Sequence, residues 1–238
     1  MAVRSTTRAP AAPRRLPRAE REQQMLDVAQ DLFARRGYAA VTMDEVAAAV
    51  GVTKPLLYNY FGNKERLYLA CLGRTADALV ACVTTALSGS DTPGEGLRAG
   101  LRAFFAFVES DRASWQVLYD ETLPQGGQIA EHIEAYREQL TGIVGAALRE
   151  LDPAPDPVLL PGMAHALLGA VESLSRWWLR DEAGDLTAAE TAEAIIALVG
   201  PGLARPPARP ARGGPAASGP DVLFDPPIST PTQDPNRS

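Results

Sequence analysis

The stretch from residue 37 to residue 67 restricts the fold of this chain more than any other, because each turn of it carries its own stereochemical signal. Thr42-Met43-Asp44-Glu45 reads as a capping box, in which the threonine hydroxyl takes an orphan amide and the glutamate reaches back three residues. Val46, Ala47 and Val50 then give a short helix its apolar side, and Gly51 supplies a turn that is cheap only without a Cβ. Thr53 is expected to cap a second short helix, with Pro55 in the first turn, where a missing amide proton costs little. Leu57 and Phe61 lie four apart and share the face read as buried, which leaves Lys54, Leu56, Tyr58, Asn59 and Tyr60 pointing elsewhere. Asn63 caps a third, longer helix. Two short helices about a glycine turn make a helix-turn-helix, whose second helix is shaped to enter a DNA major groove.

Taken alone, the same pattern also fits an ordinary αα-corner, and the charge distribution separates the two. Residues 1–67 carry eleven Lys/Arg and seven Asp/Glu, net +4, while the remainder carries twelve and twenty-two, net −10. An acidic body with a basic amino-terminal end presents only that end to phosphates.

From about Arg21 to about Leu72 the order of these parts resembles the DNA-binding domain of the tetracycline-repressor (TetR) family of bacterial transcription regulators. The resemblance implies an all-α protein with an amino-terminal three-helix DNA-binding domain and a helical carboxy-terminal ligand-binding and dimerisation domain. It further implies a homodimer on a palindromic operator, released by an unidentified small-molecule effector. A constitutive or activating DNA-binding protein of the same fold is the alternative. Carried over residue by residue, Thr42, Tyr58, Tyr60 and Lys64 are expected at phosphates, and Thr53, Lys54, Pro55, Leu56 and Asn59 at or near base edges. The family often has His where this chain has Tyr60, and a phenol, unlike imidazole, gains no charge at lower pH.

Helical periodicity fills the rest of the chain, and no strand pattern appears. Helices are predicted over about 18–36, 63–88, 92–110, 112–122, 128–151, 158–180 and 187–199. Residues 1–17 form an Arg/Pro/Ala arm expected to be disordered, either a solvated tail that adds diffuse attraction to DNA or one whose arginines reach a minor groove. Residues 18–67 make the DNA-binding domain and 68–200 the regulatory one. Residues 201–238 hold ten of the twenty prolines and are expected to be a disordered tail. Within it Asp221-Val222-Leu223-Phe224-Asp225 is either a short docking motif or merely part of a solvated segment.

In the helix over 158–180, Leu160, Ala164, Leu167, Val171, Leu174 and Trp178 alternate spacings of four and three, an interhelical seam. With Ile195 and Val199 they are the expected dimer interface; the alternative is a helix merely central to the core of a single subunit. Leu159, Met163, Ala166, Ala170 and Trp177 make a neighbouring face apolar too, and a helix apolar on two faces must bury both. Gly162 and Gly169, seven apart, leave room for a partner helix to approach. Phe104, Phe105, Trp115, Tyr119, Tyr136 and Trp177 are candidates for a ligand pocket, although a helical core uses the same residues.

Catalysis is not expected: there is no nucleophile–base pairing and no glycine-rich phosphate loop. Cys71 and Cys82 sit eleven residues apart on one helix, ~16 Å along its axis, too far for a disulfide. His132 and His165 have no ligand-spaced partners, so neither a metal nor a cofactor is expected. The arginine-rich start lacks a following apolar region, no run of about 18 apolar residues occurs, and the expected location is cytoplasmic.

Overall fold

The structure, a computed structural model, describes residues 17–112, 115, 117, 123, 126–152, 156–179 and 185–203. The arm, the tail beyond residue 203, Tyr119 and most of the helix expected over 112–122 lie outside the described residues. Eight helices and no strand occur among those described: α1 (Arg18–Ala40), α2 (Met43–Val50), α3 (Lys54–Phe61), α4 (Lys64–Ser88), α5 (Pro93–Ser110), α6 (Gln128–Leu151), α7 (Leu160–Trp178) and α8 (Ala188–Leu203). The all-α architecture expected from the periodicity is the one observed.

Local signals place most boundaries. Thr42, Asn63 and Thr92 each accept the amide three residues on, from Glu45, Arg66 and Glu95. Such a cap contributes about 1 kcal/mol. Gly51 closes α2 in the left-handed region, at φ 76° and ψ 34°. Gly37 adopts φ 76° and ψ 160°, which no helix contains, so α1 breaks there before its last short turn.

Two boundaries differ from expectation. Thr53 precedes α3 but its hydroxyl makes no cap bond. The next-but-one residue is Pro55, which has no amide to give, and the Leu56 amide is already taken by the Thr53 carbonyl at 3.0 Å. At the other end α8 continues past Gly200 and through Pro201 to Leu203. Proline's fixed φ is compatible with a helix, and it forfeits only one bond in a final turn.

The helices enclose two cores. In the first, Met25, Ala29 and Phe33 of α1 meet Val46, Leu57 and Phe61, and Leu67, Tyr68 and Cys71 of α4 complete it. Burial pushes the Cys71 thiol up to about 12, so it behaves as a small apolar side chain. Val117 and Ile129, distant in sequence, are buried in this same core. The division drawn after residue 67 therefore passes through its interior.

The second core joins Leu79 and Val83 of α4 to Phe104 and Phe105 of α5, Leu148 of α6 and Ile195 of α8. Although α4 has the length and hydropathy to cross a membrane, its apolar residues are divided between these two cores. Midway along it, Arg74 donates to Asp27 at 2.5 Å, to Gln23 at 3.3 Å and to Gln30, tying α4 to α1.

The seam of α7 faces inward, which corrects the expected dimer interface. Leu160, Ala164, Leu167, Val171 and Trp178, with Ile195 of α8, are buried in the chain's own core, and Leu174 and Val199 pack against it. The open face is the neighbouring one: Gly162, Ala166, Ser173 and Trp177 are exposed and Gly169 is half-exposed. Size decides between two faces that periodicity alone makes equivalent. The side richer in branched groups fills the interior, while Gly162, Ala166 and Gly169 remain outside together with Trp177.

Candidate nucleic-acid interface and regulatory cavity

With Leu57 and Phe61 of α3 anchored in the first core, Thr53, Lys54, Pro55, Tyr58 and Asn59 stand exposed along its free side. Leu56, Tyr60 and Lys64 are half-buried beside them, and Thr42 is exposed at the start of α2. Each residue expected at DNA is thus wholly or partly accessible to solvent.

Electrostatic contacts hold that surface in shape. Lys54 Nζ lies 2.7 Å from Asp44 of α2, a hydrogen bond that raises the amine's pKa. It also stands 5.9 Å from the centre of the Tyr58 ring. The Arg18 guanidinium sits 5.0 Å over the Tyr60 ring, so the chain enters α1 beside the reading helix. Lys64 Nζ stands 4.4 Å above the Tyr38 ring and donates to the Ala39 carbonyl at 3.2 Å. Burial there lowers the amine's pKa.

Tyr38 packs edge-on against Tyr68, and Tyr68 edge-on against Phe33, each at 4.9 Å. The Tyr68 hydroxyl donates to the Val117 carbonyl at 2.5 Å. No sequence signal foretold this tie between distant segments.

Glu45 secures the start of α2. Its carboxylate accepts from Arg36 at 2.8 Å, from the Thr42 amide at 2.8 Å and from the Thr42 hydroxyl at 2.9 Å. The Arg36 bond first, then those from Thr42, hold its pKa down at about 2. A depressed carboxylate stabilises the folded chain above its ordinary value near 4.5 and ceases to do so as pH falls toward about 2. The melting temperature of Glu45→Gln should therefore lie below wild type at neutral pH and converge with it across that acid window. A gap that stays constant to the bottom of the window would show that the carboxylate's charge contributes nothing.

Away from this surface, a cavity lies between α4, α5, α6 and α7, with about 40 Å³ of free volume. Its walls are apolar throughout, and Val83, Phe104, Leu140 and Val171 are among them. Of the aromatic residues expected to line a pocket, Phe104 faces this space. Phe105 and Trp115 pack against Phe104 with ring centres 5.3 and 5.2 Å away. Tyr136 lines a separate recess with Ala76 and Arg137. Trp177 is 40% exposed on the open face of α7, which corrects its assignment to a pocket. Aromatic content pointed to one wall; the aliphatic remainder carries no signal that distinguishes it from core.

The fold is that of a helix-turn-helix DNA-binding regulator whose reading unit shares its core with a larger helical body. Residues 25–71 match the family described as bacterial regulatory proteins, tetR family, and residues 93–201 match the tetracyclin repressor-like C-terminal domain. The chain is 34% identical over 168 residues to the HTH-type transcriptional activator FasR of Mycolicibacterium smegmatis, covering 71% of this chain and 76% of that protein. It is 30% identical over 155 residues to the HTH-type transcriptional regulator BetI of Rhizobium meliloti, covering 62% and 74%. Among solved structures, a TetR-like transcriptional regulator from Rhodococcus sp. RHA1 superposes with a TM-score of 0.67 at 33% identity, covering 80% of this chain and all of that one. The chain belongs to the TetR family of bacterial transcriptional regulators. Its relatives regulate transcription and are not enzymes.

Proposed function

We propose that this regulator binds a palindromic operator as a cytoplasmic homodimer and that a small-molecule effector releases it, so that it acts as a repressor. The observation that supports this most is the free side of α3, where exposed polar and aromatic groups stand on two buried anchors. In this reading Thr42, Tyr58, Tyr60 and Lys64 hold phosphates, with Thr42 and Lys64 at helix starts that already favour anions. Thr53, Lys54, Pro55, Leu56 and Asn59 lie at or near base edges, and Lys54 exchanges Asp44 for DNA. The two subunits meet through the open faces of α7 and α8, where Leu198 is 74% exposed. The effector occupies the apolar cavity between α4 and α7.

An operator selected from genomic fragments, titrated against salt, tests the assigned roles. Lys64→Ala should weaken binding to all sequences and reduce the salt slope by about one phosphate equivalent. Asn59→Ala should cost about tenfold on the operator and little on random duplex. Equal, sequence-blind losses from both variants would overturn the division between phosphate and base contacts. The similarity to FasR, a transcriptional activator, favours a second reading, in which the same complex raises transcription. A reporter driven by the selected operator distinguishes the two by the sign of its response.

A further inference from the structure

An α-helix turns ~100° per residue, and the two anchors of α3 fix the zero of that rotation. Leu57 is fully buried and Phe61 nearly so, and their shared bearing points into the first core. Asn59 then lies diametrically opposite, with Pro55 ~40° to one side of it and Leu56 ~60° to the other. Tyr58 and Tyr60 stand ~100° away on either flank. The outermost stripe of this helix is therefore a prolyl ring, an aliphatic chain and one carboxamide. Pro55 and Asn59 are exposed, and Leu56 is half-buried and packs on the first core. Proline has a fixed φ and Leu56 is held by its packing, so little freedom is lost when the stripe meets a ligand.

The hydrogen-bonding inventory of the stripe is short. Pro55 has neither an amide proton nor a polar side chain, and Leu56 has no polar side-chain atom. Asn59 alone offers a donor and an acceptor side by side. Neither of the cations that usually bond guanine is available there. No arginine occurs in α3, and the Lys54 amine, turned ~140° from Asn59, is bound to Asp44 at 2.7 Å.

Thymine alone presents an apolar group in the major groove, its C5 methyl, whereas the edges of the other three bases are donors and acceptors. A polar edge set against Pro55 and Leu56 loses water and gains no partner; a thymine methyl gains contact. A carboxamide matches adenine, whose N7 accepts and N6 donates. Pro55 and Asn59 are four residues apart, ~6 Å along the axis, which spans about two base-pair rises of ~3.4 Å.

Resting on the reading of α3 as the helix in the major groove, we infer that its outer stripe reads A·T pairs. Pro55 and Leu56 pack on a thymine C5 methyl, and Asn59 bonds N6 and N7 of an adenine no more than about two base pairs away. Specificity at the thymine is then a matter of one methyl group.

Fluorescence anisotropy of the full-length protein on the operator selected from genomic fragments tests this base by base. Deoxyuridine in place of each thymine in turn removes the methyl and keeps the pairing. One thymine in each half-site should cost about fourfold when replaced, the increment of a buried methyl-sized group. Cytosine at that position should weaken binding further, and 5-methylcytosine should regain about fourfold of the loss. 7-Deazaadenine should cost about fivefold at one adenine close to that thymine, and nothing further in Asn59→Ala. In a protein carrying Pro55→Ser and Leu56→Ala, the uracil penalty should fall below about twofold. Circular dichroism checks the fold of that variant, and the uracil series on the wild type is decisive without it.

Uracil tolerated at every thymine, with operator affinity intact, would overturn the methyl contact and leave α3 as the DNA-binding helix. A uracil penalty undiminished by the paired substitutions would place the methyl contact on another residue and overturn the assignment. Wild-type affinity in both Lys64→Ala and Asn59→Ala would overturn the α3 surface itself, and the base assignments with it.

Discussion

In the proposed homodimer, Gly169→Arg should leave a folded monomer and lower operator affinity by about a hundredfold or more. The substitution is suited to the purpose because a Cβ at Gly169 meets nothing within 4 Å in the isolated chain. Arginine is also the better helix former by about 0.5–1 kcal/mol, so the single subunit is not harmed. In the proposed dimer it would obstruct the approach of a second α7 along Gly162, Ala166, Gly169 and Ser173, where missing or small side chains would allow close packing. A regulator reduced to one reading helix loses half of its contacts, because the two half-sites lie one helical turn of DNA apart. Sedimentation should then give the 25.3 kDa chain mass where the wild type gives twice that value. Helix content by circular dichroism should be unchanged.

Val171→Glu provides the contrast. Val171 is 4% exposed within the second core, and a carboxylate there would be buried without a partner. That variant should unfold rather than dissociate, at a cost of several kcal/mol. A Gly169→Arg protein that still sediments as a dimer would place the subunit contact on another face.

The contrast between these two residues marks the limit of what one-dimensional pattern conveys. Caps, turns and the helix-turn-helix were legible because each depends on groups within four residues: Thr42 with Glu45, Gly51 with its own φ, Asn63 with Arg66. The exposed side of α3 followed from Leu57 and Phe61 for the same reason. Which face of α7 turns inward was not legible, since both faces repeat at helical spacing and the choice depends on what α5, α6 and α8 offer. The cavity was legible only in Phe104, because aliphatic walls such as Val83 and Leu140 are indistinguishable from core until the helices are assembled. Least legible was the presence of Val117 and Ile129 in the core of the DNA-binding domain. A long-range contact of that kind leaves no periodic trace.

That contact leads to the second large effect, expected at Tyr68. The residue is fully buried, its ring contacts Phe33 and Tyr38, and its hydroxyl is bound to the Val117 carbonyl. Tyr68→Ala should cost about 3–5 kcal/mol, the range for deleting a buried aromatic ring, and largely melt the first core. Tyr68→Phe keeps the ring but deprives Val117 of this donor, at about 1–3 kcal/mol. Its effect on binding is the more informative, because the contacts run on in both directions. Toward the DNA surface, Tyr68 supports Tyr38, over which Lys64 stands. Toward the cavity, Val117 follows closely on Trp115, whose ring packs on Phe104 in the cavity wall. A change at Phe104 should therefore reach Lys64 through Tyr68. In a double-mutant cycle, Phe104→Leu should shift DNA affinity by about threefold or more in wild type and by much less beside Tyr68→Phe. Such a difference corresponds to a coupling of at least ~0.5 kcal/mol, the threshold above which contacting residues are taken to interact. Equal shifts in the two backgrounds would show that the phenol only stabilises the fold, and that the cavity acts on the DNA surface through the rest of α4.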